Sequence, residues 1–333
     1  MKKKTIHPFK ALFIGSGNIV LRHINSLRKL KNTKIKILKR SSSKIDTKLR
    51  EYSFIKNFNE AKKFKPNAIF ICSPASMHIS DFRKLRNVCF NFFLEKPLTS
   101  TNLNLNNFLI NLKKKYYFYV GYMLTFSPVL KYISKILKEK KFGKFYYAKC
   151  YVGQNLQKWR PQKKYYESVS AQKKFGGGPL YELSHEIEYC LDIFGIPKAV
   201  FNKNFKLSKM KIDVDDVSSI SFYYDKYFVD IIIDFLNHKK KRSIELVFEK
   251  ANIYGDLLSN KLKIEKRNKK TREISFKKKY EDLYEDQMRF FIKNLNKKDE
   301  KIYRKLENSI NTVKLIKLLE QSNLKDKIVR VKL

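Results

Sequence analysis

The sequence predicts an α/β chain: an N-terminal parallel sheet wound by helices, then an α+β domain built on an open, mostly antiparallel sheet. Three observations carry this prediction. Short β-type runs alternate with helical patterns through the first 125 residues, the texture changes after Ser127-Pro128 to strands broken by turns, and a glycine turn joins the first strand to the first helix.

Strand candidates in the first part are Phe9–Ile14, Lys34–Leu38, Ala68–Cys72, Val88–Leu94 and Tyr116–Tyr122. Between them Ile19–Leu30, Ser76–Arg86 and Leu103–Lys113 place apolar residues at helical spacing, which makes βαβ units. One more helix, Val129–Lys138, precedes the change of texture. Phe145–Val152, Val217–Tyr224, Phe228–Phe235 and Arg242–Phe248 then read as antiparallel strands, interrupted by a helix at about Leu180–Phe194. Helices at about Tyr280–Asn296 and Tyr303–Gln321 follow. The expected domains are 1–125 and 126–333, with no repeat or low-complexity linker between them.

Composition narrows the class. A chain of 333 residues with 43% apolar content can bury a core and is not disordered by composition. Its basic start, Met1-Lys2-Lys3-Lys4, imitates a secretory leader, but Lys10 interrupts the apolar run and Gly15 and Gly17 close it, so a buried first strand is the better reading. No run approaches the length of a membrane span. Cys72, Cys89, Cys150 and Cys190 are scattered with no CxxC pair, which argues against a zinc site or a disulfide framework and suits reduced thiols in the cytoplasm. The net charge of +42 invites a nucleic-acid reading, yet lysines occupy nearly every predicted helix rather than one stripe. No specific nucleic-acid partner is expected; the positive field would instead draw in anionic small molecules.

The first motif with chemistry is Gly15-Ser16-Gly17-Asn18-Ile19-Val20, directly after a strand and opening a helix. One glycine permits the tight turn, and the other lets backbone N–H groups approach a pyrophosphate at the helix N-terminus, the arrangement of a Rossmann domain. Val20 stands at the third glycine position, where helix and strand pack closely. The second strand runs out into Leu38-Lys39-Arg40-Ser41 without an acid to take the ribose hydroxyls. Lys39, Arg40 and Ser41 would welcome a 2′-phosphate, which tilts the cofactor from NAD toward NADP, although a solvated basic strand end is the plain alternative. Two further segments end apolar strands where open parallel sheets bind ligands: Cys72-Ser73-Pro74 through His78, and Glu95-Lys96-Pro97. A lysine there is placed to orient a substrate hydroxyl.

With Glu95-Lys96-Pro97 the chain resembles the glucose–fructose oxidoreductase and inositol dehydrogenase family (Gfo/Idh/MocA). The glycine turn, the strand-end proline segment, the E-K-P tripeptide and a Gly176-Gly177-Gly178 stretch leading to His185 occur in that family's order. The resemblance spans nearly the whole chain. It implies an NAD- or NADP-dependent dehydrogenase acting on a sugar, cyclitol or nucleotide-sugar, with cofactor contacts from Gly15, Gly17, Asn18, Ile19, Lys39, Arg40, Ser41, Cys72, Ser73, Pro74, His78, Glu95 and Lys96. Lys96 would touch both the nicotinamide ribose and the reacting hydroxyl, and the peptide before Pro97 would be cis. His185 would take or give the hydroxyl proton, a task suited to an imidazole, and Glu182, three residues earlier, would support it across one helix face. A satisfied core histidine is the bland reading of His185.

Two departures from the family pattern stand out. The family often has an aspartate four residues before the histidine, whereas the nearest acid here is Glu182, three before, and Met123 and Thr125 follow Tyr122 where the family has polar and basic residues. The loop Gly153–Pro161, with Trp159 and Arg160, could cover a substrate through stacking and an arginine clamp, or could sit at a subunit interface. It also resembles a branch associated with bacterial surface-polysaccharide sugars. An open sheet predicts a homo-oligomer, dimer or tetramer. Two rival readings are a non-catalytic NAD(P)-binding regulator and an enzyme that oxidises its substrate transiently for elimination or epimerisation.

Overall fold

The computed structural model describes residues 7–38, 47–101, 103–159, 164–297 and 300–333. Lys39, Arg40, Ser41 and Arg160, assigned above to cofactor and substrate, lie outside them. The described residues form two compact units, Met1–Gly121 with Tyr284–Glu307, and Tyr122–Leu283 with Asn308–Leu333. The chain leaves the first unit after Gly121, and a C-terminal segment, Tyr284–Glu307, returns to it.

The first unit contains β1 (Phe9–Ile14), α1 (Asn18–Arg28), β2 (Thr33–Leu38), β3 (Ser53–Ile55), α2 (Phe58–Phe64), β4 (Ala68–Ile71), α3 (His78–Leu85), β5 (Asn91–Leu94), α4 (Leu105–Lys115) and β6 (Tyr117–Val120). Its sheet runs in the order β3-β2-β1-β4-β5-β6, every pairing parallel. Every residue of β4, β5 and β6 is buried, as a sheet covered on both faces requires. β3 and α2 were not expected from the sequence. α2 is a two-turn helix held by its start, where Asn57 accepts from the Glu60 N–H and Glu60 reaches back to the Lys56 N–H.

The second unit holds α5 (Pro128–Lys138), β7 (Phe145–Gly153), α6 (Leu156–Trp159), α7 (Pro179–Glu182), α8 (His185–Phe194), β8 (Ala199–Phe205), β9 (Val217–Tyr223), β10 (Phe228–Asp234), β11 (Lys241–Phe248), β12 (Asn252–Asp256), β13 (Lys261–Glu265) and β14 (Arg272–Ser275). α9 (Asp282–Lys293), α10 (Glu300–Lys325) and β15 (Val329–Arg330) complete the described elements. Nine strands form one open sheet, β14-β13-β12-β11-β7-β10-β9-β8-β15, antiparallel except where β10 runs beside β7. Burial alternates along β10 and β13, so one face carries the core. α5 lies against that face: a Cβ on Gly255 of β12 would come within 2.8 Å of Val129 and touch Ile133 at 3.6 Å.

The helix expected over 180–194 is two helices, α7 and α8, separated by Leu183 and Ser184. The argument that Glu182 and His185 share one helix face fails with it.

Candidate active site

In the first unit the glycine turn is fixed by backbone geometry. Gly15 has φ +120°, and a Cβ there would lie 2.6 Å from the Cys72 carbonyl oxygen, so no side chain fits. At Gly17 a Cβ would meet no protein atom within 4 Å. The chain's own packing therefore does not require glycine at 17. Gly17 caps α1 with no side-chain hydrogen bond, no acid stands in the first turn, and Asn18 is exposed. The N-terminus of α1 thus keeps its partial positive charge uncompensated by an acid. Val20, at the third glycine position, is fully buried in the core with Phe13 and Phe70, and half-buried Ile19 packs against the same cluster. Helix and sheet pack around the valine, and a glycine is not needed there.

The strand ends beside this turn are joined by backbone hydrogen bonds. Cys72 donates to Ile14, Glu95 to Ile71 and Gly121 to Leu94, each at 2.8 Å. Cys72 is buried, and burial together with Glu95 pushes its thiol well above the usual range. Ser73 donates to the buried Asp81 carboxylate at 2.6 Å, and Pro74 begins the short 3₁₀ turn before α3. His78 is 1% exposed and lies between two backbone carbonyls, Nδ1 at 2.9 Å from Pro97 and Nε2 at 2.8 Å from Ser73. Burial lowers its pKa, against the pull of those carbonyls and of Glu95. The Lys96–Pro97 peptide is cis, as the resemblance implied.

Glu95 meets a residue the sequence reading did not assign. His23, fully buried on α1, places Nε2 against the Glu95 carboxylate. Burial disfavours the Glu95 charge, but His23, Lys96 and His78 outweigh it and hold the carboxyl below its ordinary value. A signal for His23 existed: a histidine inside the apolar stripe Val20, Ile24, Leu27 asks for a buried partner.

In the second unit three glycines precede α7 for different reasons. Gly176 and Gly178 have φ of +78° and +95°, while a Cβ on Gly177 would lie 2.5 Å from the Val169 carbonyl oxygen. They deliver the chain into α7 and then His185 at the start of α8. His185 is buried to 7%, and the buried Tyr122 ring stands edge-on to its imidazole, centroids 5.5 Å apart. The Tyr122 hydroxyl lies 3.5 Å from Ser184 Oγ. Glu182 instead accepts from Ser170 at 2.7 Å. Behind His185, the wholly buried Glu186 pairs with Arg242 of β11 at 2.9 Å, and Arg242 also donates to the Tyr280 hydroxyl at 2.6 Å. Trp159 is half-buried, its ring tilted against Phe235 at 5.8 Å.

Among the described residues no cluster of His, Cys, Asp and Glu suits a metal, all four cysteines are free thiols, and no helix is long and apolar enough to cross a membrane.

The comparisons agree with this geometry. Residues 9–120 match the model of the GFO_IDH_MocA oxidoreductase family, NAD-binding Rossmann fold. No curated protein matches the chain in sequence. Among solved structures, a levoglucosan dehydrogenase in complex with NADH superposes with a TM-score of 0.81 at 13% identity, covering 97% of this chain and 99% of that one. The myo-inositol 2-dehydrogenase from Lactobacillus plantarum gives a TM-score of 0.77 at 18% identity, covering 98% and 100%. GenD2 from gentamicin A biosynthesis, in complex with NAD, gives 0.79 at 14%, covering 98% and 97%. At such identities the likeness is one of fold. Over residues 9–120 the chain is similar to the NAD-binding Rossmann domain of the Gfo/Idh/MocA oxidoreductase family.

Proposed function

We propose that the protein transfers hydride between a nicotinamide dinucleotide and a secondary alcohol or ketone of a sugar, cyclitol or nucleotide-sugar. The observation that carries this reading is the turn at the end of β5, where a cis peptide follows Lys96 and buried His78 meets the Pro97 carbonyl. A lysine held at the carboxyl end of a parallel strand stands where such sheets bind ligands. The dinucleotide, when bound, supplies the hydride acceptor or donor. Gly15, Gly17, Asn18 and Ile19 would receive its pyrophosphate; Cys72, Ser73, Pro74, His78 and Glu95 would line its path. Lys39, Arg40 and Ser41 tilt the reading toward NADP. Lys96 orients the substrate hydroxyl through its charge, and His185 takes or returns the hydroxyl proton. Tyr122, Trp159 and Arg160 would contact substrate. Glu182, held by Ser170, supports the chain entering α8.

The names of the solved relatives, a levoglucosan and a myo-inositol dehydrogenase, support a polyol-like substrate. A role in surface-polysaccharide sugar metabolism in the cytoplasm, where free thiols persist, fits the same chemistry. One observation favours a second reading, a non-catalytic NAD(P)-binding regulator: the break between Glu182 and His185 separates the acid from the histidine's helix.

The test is a thermal-shift screen of NADH and NADPH, followed by a polyol and nucleotide-sugar panel read by cofactor reduction. A ligand at about a hundred times its Kd adds about 2.7 kcal/mol of stability. His185→Asn is expected to retain the cofactor shift and lose at least about a hundredfold in turnover. Cofactor binding without turnover on any substrate of the panel would favour the regulator.

A further inference from the structure

We propose that His23 is a positioning residue, whose Nε2–H holds the Glu95 carboxylate and through it the turn that presents Lys96. The proposal rests on the reading of Lys96 given above.

The geometry begins at the ring. His23 is fully buried, set edge-on to Phe93 at 4.8 Å and to Tyr284 at 6.1 Å. Nε2 meets Glu95, while Nδ1 is buried and finds no hydrogen-bond partner among the described residues. Of the two ring nitrogens only Nε2 faces an acceptor, so an N–H there is the donor to the Glu95 carboxylate. The other Glu95 oxygen accepts the Lys96 N–H at 3.2 Å. One carboxylate thus links α1, the helix after the glycine turn, to the peptide of Lys96. His78 fixes the far side of the same turn through the Pro97 carbonyl. The titratable groups that face Glu95 are His23 from α1, His78 from α3, the Cys72 thiol after β4 and the adjacent Lys96.

Removing the donor while keeping the ring isolates this role. His23→Phe preserves packing between Phe93 and Tyr284 but leaves Glu95 buried with only Lys96, His78 and backbone to hold its charge. Burial then dominates, the carboxyl pKa rises above its unfolded value, and the folded state is penalised wherever the unfolded chain is ionised. The Tm deficit of His23→Phe should accordingly be largest at about pH 8 and shrink toward about pH 4 as Glu95 takes up a proton. Adding Glu95→Gln should remove the share of that pH dependence carried by the Glu95 carboxyl, leaving only what the lost imidazole itself contributes. His23→Gln, whose amide N–H reaches the place of Nε2, should remain close to the wild type at both pH values.

Affinity for NADH supplies the second readout. His23→Phe is expected to weaken NADH roughly tenfold, the scale of one hydrogen bond to a charged group, and to add less than about twofold in a Lys96→Ala background, because both changes act through one side chain. A His23→Phe protein whose Tm deficit is equal at both pH values, or whose loss of NADH affinity is undiminished in the Lys96→Ala background, overturns the proposal. Unchanged NADH affinity in Lys96→Ala alone overturns the reading of Lys96 instead, and leaves the hold of His23 on Glu95 to be decided by Tm.

Discussion

Two glycines two residues apart do different work, and substitution separates them. Gly15→Ala drives a Cβ into the Cys72 carbonyl at a positive φ, so it should cost roughly 2 kcal/mol or more in urea unfolding, whether or not cofactor is present. Gly17→Ala meets open space, so stability should change by less than about 1 kcal/mol while NADH affinity falls at least about tenfold. Equal destabilisation by the two would refute the division. The ion pair behind His185 makes a similar point about charge. Glu186 and Arg242 are both buried, and Glu186→Gln would leave the guanidinium without its counter-charge, at an expected cost of about 3–5 kcal/mol in the same assay. Replacing both partners with apolar residues should be far milder. At this scale the sequence was most readable where chemistry is local, as in the tight turn at Gly15 and the cis peptide before Pro97. His23 and Arg242 were not readable in this way, because their partners lie 72 and 56 residues away.

At the scale of elements, the parallel sheet was legible because its central strands are continuous apolar runs bounded by turns. The strands missed in the second unit have another character. β13 reads Lys-Leu-Lys-Ile-Glu, with two buried residues between exposed charges, and so short an alternation is hard to tell from a polar loop. The division of α7 from α8 was hidden for the opposite reason, since the segment from Leu180 to Phe194 is periodic throughout. The least legible fact is where α9 belongs. Its Met288 and Phe291 are wholly buried in the first unit's core, with Phe291 against Phe70, Phe93 and the stacked Tyr117 ring. Beyond the helix, Asn296 exchanges hydrogen bonds with Asn91 at the start of β5. Amphipathic spacing shows that such a helix has a partner without saying which. Phe291→Ala should cost about 3–5 kcal/mol. A fragment of residues 1–125, lacking α9, should expose that aromatic face and aggregate, which light scattering would report.

Over the whole molecule, charge and the open sheet set behaviour in solution. With +42 spread over many elements, binding of an anionic dinucleotide should accelerate as salt is lowered, and stopped-flow association rates at two ionic strengths would measure this. Salt-independent association would mean that the surface charge lies far from the entry path. On the sheet, β10 exposes Phe228 and Ile232, and Phe228 stacks on Tyr147 of β7. We expect this face to pair copies of the chain, so that light scattering gives a dimer or tetramer and Ile232→Lys shifts it toward monomer. The return of α9 to the first unit also sets an order for the protein's birth. A ribosome that has made residues up to Gly121 must add about 160 more before Tyr284 appears. At cellular elongation rates that interval is roughly ten to thirty seconds. Through it the nascent sheet holds a bare aromatic face, which is long enough for a holdase to bind, so slower translation of the middle of the message should deepen the protein's dependence on chaperones.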